Sequence, residues 1–377
     1  MLKKPEWLKI RYIEDPNMQV VERVLEKLNL NTVCREAGCP NSMECFSRKT
    51  ATFMILGTKC TRSCRFCGVN AGTPSPPDRN EPANIAAAIA ELGLRYAVVT
   101  SVTRDDLPDG GAGFFAEVVA QIQKTTPNVG IEVLIPDFGG NIDALRVVSD
   151  YAPTVIAHNM ETVASLYTAV RPEAIYRRSL DLLDNIKRLN PGIRSKSGIM
   201  LGLGETRDEV VELLGDLRDV GCEFLTIGQY LAPSKGHYPV REYISPDVFE
   251  EYAQIARDKG FEFVASSPFV RSSYRAEEAV MIIPEQIKLE ELQMSELTSM
   301  LNIGKELERK LKIAGIDSAD ELREIGSRGA FVKLKLRDPY VCLVHLYALE
   351  GAVSGIQYNQ LPEDVKQSLK SFSDNLK

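Results

Sequence analysis

Histidine is scarce in this chain: three in 377 residues, His158, His237 and His345, all far in sequence from its cysteine clusters. Zinc sites usually take four Cys or a Cys/His set, and the histidines offer no local help. Nothing at the start reads as a secretory signal, because residues 1–15 (MLKKPEWLKIRYIED) are charged and lack an apolar stretch; a disulfide framework is disfavoured with it. No apolar run approaches the length of a membrane span. A basic excess is missing too: 45 Lys+Arg against 52 Asp+Glu give a net charge of -7, which argues against general nucleic-acid binding or attraction to an anionic membrane. The expectation is a cytoplasmic, soluble enzyme. Its length suits one large barrel with an appendage, or more than one core.

Cysteine is present and concentrated. Six of the eight lie between positions 34 and 67 as two triplets: Cys34, Cys39, Cys45 (C-x4-C-x5-C) and Cys60, Cys64, Cys67 (CTRSCRFC, C-x3-C-x2-C). Three thiolates can hold three corners of a [4Fe–4S] cube. With no fourth Cys in the loop, one iron stays open to another ligand, as catalytic metal sites keep an open position. Zinc remains the alternative on spacing alone. Cys222 and Cys342 lack partners at ligand spacing and read as buried thiols.

Apolar, β-branched runs recur along the chain: FMIL (53–56), YAVVTSV (96–102), IEVLIP (131–136), TVIAHN (154–159), SGIMLGLG (197–204), FLTIGQYL (224–231) and FEFVAS (261–266). Helical spacing fills the gaps, and DEVVELLGDLRDVG and DVFEEYAQIARDKG each end in Gly, a common helix stop. This alternation predicts parallel β/α units with right-handed crossovers. Polar residues close the strands (Thr100, Ser101, His158, Asn159, Gln229, Ser266), and in parallel barrels that face carries the active site. The pattern leaves open sheet and partial barrel undivided.

CTRSCRFC after a first strand resembles the radical S-adenosylmethionine (SAM) enzymes. More narrowly, residues 5–280 resemble the lipoyl synthase family through CREAGCPNSMECF (34–46), TSVTRDDLPDGGA (100–112), HNMETV (158–163), VRP (170–172), KSGIMLGLGET (196–206), GQYLAPSKGHYPV (228–240) and RSSY (271–274). Met160 stands where Leu is expected. The resemblance implies an α/β fold: a partial parallel (β/α)6-type TIM barrel over residues 51–280 behind an N-terminal extension, 1–50, that binds an auxiliary cluster. It implies two [4Fe–4S] clusters. Cys60, Cys64 and Cys67 would hold the one whose open iron binds SAM and whose reduction cleaves it to methionine and a 5'-deoxyadenosyl radical. Cys34, Cys39 and Cys45 would hold the other, with Ser272 or Ser273 as its fourth ligand, Ser273 being favoured. A harder oxygen donor leaves more readily than thiolate when that cluster gives up sulfur. The implied reaction inserts two sulfurs, at carbons 6 and 8, into an octanoyl-lysine of a lipoyl carrier protein (a lipoyl domain of 2-oxoacid dehydrogenases or the glycine-cleavage H protein) and uses two SAM per lipoyl group. A flavodoxin or ferredoxin donor and an iron–sulfur carrier are implied partners.

The remaining candidates have structural alternatives. Asn159 and Glu161 could grip the amino group and ribose of SAM, or Asn159 could cap a helix; the resemblance favours SAM. Arg171 could pair with the SAM carboxylate or stay a surface cation. Thr100, Ser101, Arg104 and Asp105 could shape the SAM and substrate site, although DLPDGG is also plain turn chemistry. Gly202 and Gly204 read as a backbone approach to SAM, the GxG itself being a poor dinucleotide signal. His237 could order substrate, though a lone His is more often structural.

Residues 281–292 read as a linker. From 293 to 377 the pattern is helical and resembles the TfoX C-terminal domain, through DPYVCLVHLYALEGAVSGI and LPEDVKQSLK; LNIGKELERKLKIAGI resembles a helix-hairpin-helix, with Ser318 as the N-cap of the next helix. Residues 285–377 hold 13 Lys+Arg against 15 Asp+Glu, so the all-α tail lacks the basic footprint of DNA binding. A protein-interaction or accessory module is expected there.

Overall fold

All seven apolar runs form strands of one sheet. In the computed structural model, which describes residues 3–10, 14–279, 297–337, 341–374 and 376, β1 (Asn31–Thr32) pairs antiparallel with β2 (Thr52–Ile55). Beyond β2 run β5 (Tyr96–Ser101), β6 (Gly130–Leu134), β7 (Val155–Ala157), β8 (Arg194–Leu201), β9 (Phe224–Gln229) and β10 (Phe263–Ser266). They are parallel and neighbour one another in chain order. A separate parallel pair, β3 (Lys59–Cys60) and β4 (Asn70–Ala71), lies between β2 and β5 in sequence.

Six of the parallel strands, β2 and β5–β9, are each followed by a helix: Glu81–Leu92, Ala112–Thr125, Ile142–Ser149, Tyr176–Leu189, Arg207–Asp219 and Pro246–Asp258. These are the six β/α units, and β10 is a seventh strand added at the edge. Neighbour-by-neighbour order is what right-handed crossovers of constant sense produce, and it curls the sheet into a partial barrel. Among the described residues β10 pairs with β9 alone.

Local chemistry sets the helix ends. Thr206 and Glu209 form a capping box at the start of Arg207–Asp219. Gly221 and Gly260, at φ 74° and 88°, follow the two helices whose terminal glycines mark them in sequence. Buried apolar side chains of the strands (Phe53, Val99, Val133, Ile156, Leu225) and helices (Ile89, Val119, Leu183, Leu214) form one core.

The chain divides into two units, Met1–Val280 and Met281–Lys377; the expected 281–292 linker lies outside the described residues. The second unit holds helices Lys305–Ile313, Ala319–Arg337 (kinked at Gly326), Leu343–Ser354 and Glu363–Asp374 around Leu311, Ile316, Phe331 and Leu346. Ser318 Oγ accepts the Glu321 amide at 3.1 Å, the expected N-cap. Among the described residues no helix is long and apolar enough to cross a membrane.

Candidate active site

The Cys60–Cys67 loop begins at a bent corner. Leu56 and Gly57 both take positive φ (66° and 96°). The corner is fixed from both sides of the Leu56 residue: its amide donates to Glu81 at 2.9 Å and its carbonyl accepts from Arg104 at 3.1 Å. Burial lifts the Glu81 carboxyl to about 7, against the pull of that amide. Arg104 is buried and also grips Asp106; it clamps the launch of the loop. The pairing of Cys60 with Ala71 then draws the loop's ends together.

Three other segments hold the loop. On one side Thr61 N donates to Thr103 O at 3.1 Å, and the amides of Thr103 and Arg62 donate to Cys60 Sγ at 3.3 and 3.4 Å. Hydrogen bonds to a ligating sulfur are one of the levers that tune iron–sulfur clusters. Arg62, from the middle of CTRSC, makes a two-pronged pair with Asp105 (2.7 and 2.8 Å) and reaches Asp137 at 2.6 Å. Burial raises Asp137, but the Arg62 guanidinium outweighs it and holds the carboxyl at about 2. On another side Glu173 accepts from Ser63 N and Oγ, and Val170 O accepts the Arg65 amide at 2.9 Å. From the third, His237 Nε2 lies 3.0 Å from Cys67 O, and Tyr238 N donates to Arg65 O at 2.8 Å.

The expected SAM residues gather at the strand C-terminal ends. Asn159 Nδ2 donates to Glu161 Oε1 at 3.0 Å, and burial raises the Glu161 carboxyl, opposed by Arg171. Arg171 Nη1 donates to the carbonyls of Asn159 and Met160, each at 3.0 Å, so it is a buried brace of the HNMET turn and not a surface cation. Its Nε is buried without a partner, as is Ser101 Oγ. Neither residue lines the cavity between the cysteine segments, whereas Asn159 and Glu161 do. Thr100 Oγ1 donates to Leu134 O at 3.0 Å. The amides of Gly202 and Gly204 instead serve the chain itself: with Leu203 they donate to the Glu205 carboxylate at 2.6 to 3.0 Å.

A cavity of about 520 Å³ runs from the first triplet to Cys67 of the second, lined among others by Cys34, Cys39, Cys45, Ser272 and Ser273. Ser272 Oγ donates to Asn159 Oδ1 at 3.0 Å. Ser273 Oγ instead lies 2.7 Å from Thr52 Oγ1, and Thr52 also hydrogen-bonds the Cys34 thiol. The N-terminal segment is stitched to the end of the barrel through Asn41 Nδ2 to Phe269 O (2.6 Å), Tyr274 Oη to Glu44 (2.8 Å) and Arg48 to Glu277 (2.6 Å). The two cysteine segments touch: a Cβ on Gly68 would lie 3.0 Å from Ala37 O.

The donor chemistry fits iron–sulfur clusters. Burial raises the Cys45 and Cys67 thiols to about 12, and Cys34 and Cys39 add to the first while Cys64 and Cys60 add to the second. Burial followed by a neighbouring thiol's charge also raises Cys34, and burial raises Cys64. Burial and a neighbouring sulfur thus oppose ionisation at Cys34, Cys45, Cys64 and Cys67, a cost that a cationic centre would offset. Among the described residues no three His, Cys, Asp or Glu side chains are grouped to hold a single metal ion, whereas a four-iron cluster takes its thiolates at separate corners.

Thr52, Asp137 and Glu173 escaped the sequence reading, since each acts through a partner distant in the chain. Of the two unpaired cysteines, Cys222 is buried as expected, but Cys342 is exposed; it caps a helix N-terminus at the surface.

Residues 54–217 match the family model of the radical SAM superfamily, and 293–373 match that of the TfoX C-terminal domain. The lipoyl synthase of Alkaliphilus metalliredigens is 58% identical over 278 residues, 74% of this chain and 96% of that one. That of Caldicellulosiruptor bescii is 54% identical over 288 residues, 76% of this chain and 99% of the relative. A crystal structure of an uncharacterized protein from Listeria monocytogenes is 46% identical over 21% of this chain and 91% of that chain, with a TM-score of 0.21.

Proposed function

Because the chain belongs to the lipoyl synthase family of radical SAM enzymes, we propose that it inserts sulfur at carbons 6 and 8 of an octanoyl group on a lysine of a lipoyl carrier protein. The observation that carries this reading is one cavity bordered by Cys34, Cys39 and Cys45, by Cys67 of the second triplet and by RSSY. When bound, the clusters supply the electron that cleaves SAM, two molecules per lipoyl group, and the sulfur that is inserted.

The chain's own residues bind, orient and exclude water. In this reading Cys60, Cys64 and Cys67 hold the radical-generating cluster on a loop braced by Arg62, Glu173 and His237. Asn159, Glu161, Ser101 and Arg171 receive SAM, the first two from the cavity wall. Thr100 stands beside them as cavity wall, while Gly202 and Gly204 act indirectly, through the turn that Glu205 closes. Cys34, Cys39 and Cys45 hold the auxiliary cluster. Ser273 completes it in preference to Ser272, because its hydroxyl shares Thr52 with Cys34 while that of Ser272 is spent on Asn159. The apolar walls, such as Leu8, Val33, Leu134 and Met200, suit an eight-carbon acyl chain.

We further read residues 1–50 as the auxiliary-cluster extension, 51–280 as the barrel and 293–377 as an accessory module. The proposed setting is cytoplasmic, with a flavodoxin or ferredoxin as electron donor and an iron–sulfur carrier to load the sites. Anaerobic reconstitution followed by SAM, reductant and an octanoyl-lysine peptide tests the reaction. A peptide gaining two sulfurs is expected; SAM cleavage with an unchanged peptide would move the substrate elsewhere.

A further inference from the structure

The cavity has an inner end that the residues above do not account for. On β5, β6, β8 and β9, side chains two apart share a face: Tyr96 with Val98, Glu132 with Leu134, Lys196 with Gly198 and Phe224 with Thr226. The later member of every pair lines the cavity, and of the earlier members only Tyr96 does. Glu132, Lys196 and Phe224 are buried beneath it, towards the strand N-terminal ends. Along the barrel axis the open space therefore stops between these two layers. A tied group closes it. Lys196 Nζ donates to both Glu132 carboxylate oxygens, at 2.8 and 3.0 Å, and Tyr96 Oη donates to Glu132 Oε2 at 3.0 Å. Burial, and then the Glu132 charge, push the Tyr96 phenol well above its ordinary 10, so it stays a donor.

We propose that Tyr96, backed by the Glu132–Lys196 pair, is the stop against which the far end of the acyl chain rests, and so sets the chain length that this site accepts. The inference rests on the sulfur-insertion reading above. A buried ion pair adds little stability over apolar side chains of the same volume. It differs from them in resisting displacement, because parting it leaves two buried charges unpaired. Two further methylenes gain less by burial than parting the pair loses, so a longer chain is refused. The layer above the stop is kept open for the chain that fits: a Cβ on Gly198 would meet Thr226 Oγ1 at 2.7 Å and Asn159 Oδ1 at 2.9 Å. Val98 and Leu134 supply apolar wall at the same level.

The test is anaerobic titration calorimetry on the full-length, cluster-reconstituted protein with SAM and no reductant, so that binding is read without turnover. The probes are one lysine peptide carrying a hexanoyl, octanoyl or decanoyl group. Wild type should bind the octanoyl peptide about tenfold tighter than the hexanoyl one, as two buried methylenes predict. It should bind the decanoyl peptide at least about tenfold more weakly than the octanoyl one. Tyr96→Val frees room at the stop with a side chain suited to a strand, and should bring the octanoyl and decanoyl affinities to within about twofold. Decanoyl binding as tightly as octanoyl in wild type would overturn the proposal, as would Tyr96→Val keeping the wild-type preference. If circular dichroism shows that Tyr96→Val is unfolded, the wild-type series decides alone. If wild type binds none of the three peptides, the sulfur-insertion reading fails and the stop fails with it.

Discussion

Thr52 Oγ1 and Ser273 Oγ stand 2.7 Å apart, and through Thr52 the serine is tied to the Cys34 thiol. Ser272, one residue earlier, turns to Asn159. Adjacent serines therefore belong to different neighbourhoods, one beside the first cysteine triplet and one beside the expected SAM residues. The two should separate on mutation. Ser273→Ala should leave SAM cleavage within about twofold of wild type and cut sulfur insertion by at least about tenfold, whereas Ser272→Ala should chiefly raise the SAM concentration needed for half-maximal cleavage. Counting 5'-deoxyadenosine and sulfur on the peptide from each variant checks this. Identical profiles for the two variants would contradict it.

Gly228 lets the RSSY segment lie against β9. A Cβ there would stand 2.1 Å from Val270 O, a backbone atom that cannot step aside. Gly228→Ala should destabilise the barrel by about 2–4 kcal/mol and dislodge Ser273. Denaturant unfolding would register the loss, and an unchanged midpoint would show that the segment yields freely.

Arg62 neutralises Asp137, whose side chain is only 1% exposed. Arg178 approaches the same carboxylate at 3.3 Å and offsets part of the loss. Removing one partner of a buried pair leaves an uncompensated charge, so Arg62→Ala should cost about 3 kcal/mol. It should also lower iron loading at the second triplet more than at the first. Iron analysis on backgrounds retaining one triplet at a time would separate the two.

How much of this was legible in the chain itself follows from distance in sequence. The seven strands and the two triplets are local patterns: short apolar, β-branched runs for β2 and β5–β10, and thiol spacing within a dozen residues for each cluster. The roles of TSVTRDD, VRPE and GHY were not readable as such. Arg62 meets Asp105 and Asp137 across 43 and 75 positions, and His237 meets Cys67 across 170. Only the closed barrel brings those ends together. Arg104 reads as a site residue because it follows a strand, yet its guanidinium turns inward to Leu56. The GLGET amides read as a ligand cradle, and Glu205, next in the chain, fills it. Cys342 was misjudged because thiols are usually buried, and its capping geometry depends on a partner three residues on.

Glu81 should make stability depend on pH. Its carboxyl is raised to about 7 in the folded chain from an ordinary 4.5. Between those values the folded state binds more protons than the unfolded one, so the group's contribution to stability falls as pH rises from about 4.5 to 7. Glu81→Gln keeps a carbonyl for the Leu56 amide and removes this titration. The difference between wild-type and variant unfolding free energies should change by about 1–3 kcal/mol across that window. A constant difference would show that Glu81 stays ionised throughout.

The division of labour between the triplets is the central claim, and Cys34→Ala tests it most directly. After anaerobic reconstitution, wild type should hold about eight irons and the variant about four. Given SAM, reductant and octanoyl-lysine peptide, the variant should still release 5'-deoxyadenosine while adding no sulfur to the peptide. A folded variant that keeps the iron of the Cys60–Cys67 loop but no longer cleaves SAM would contradict the account.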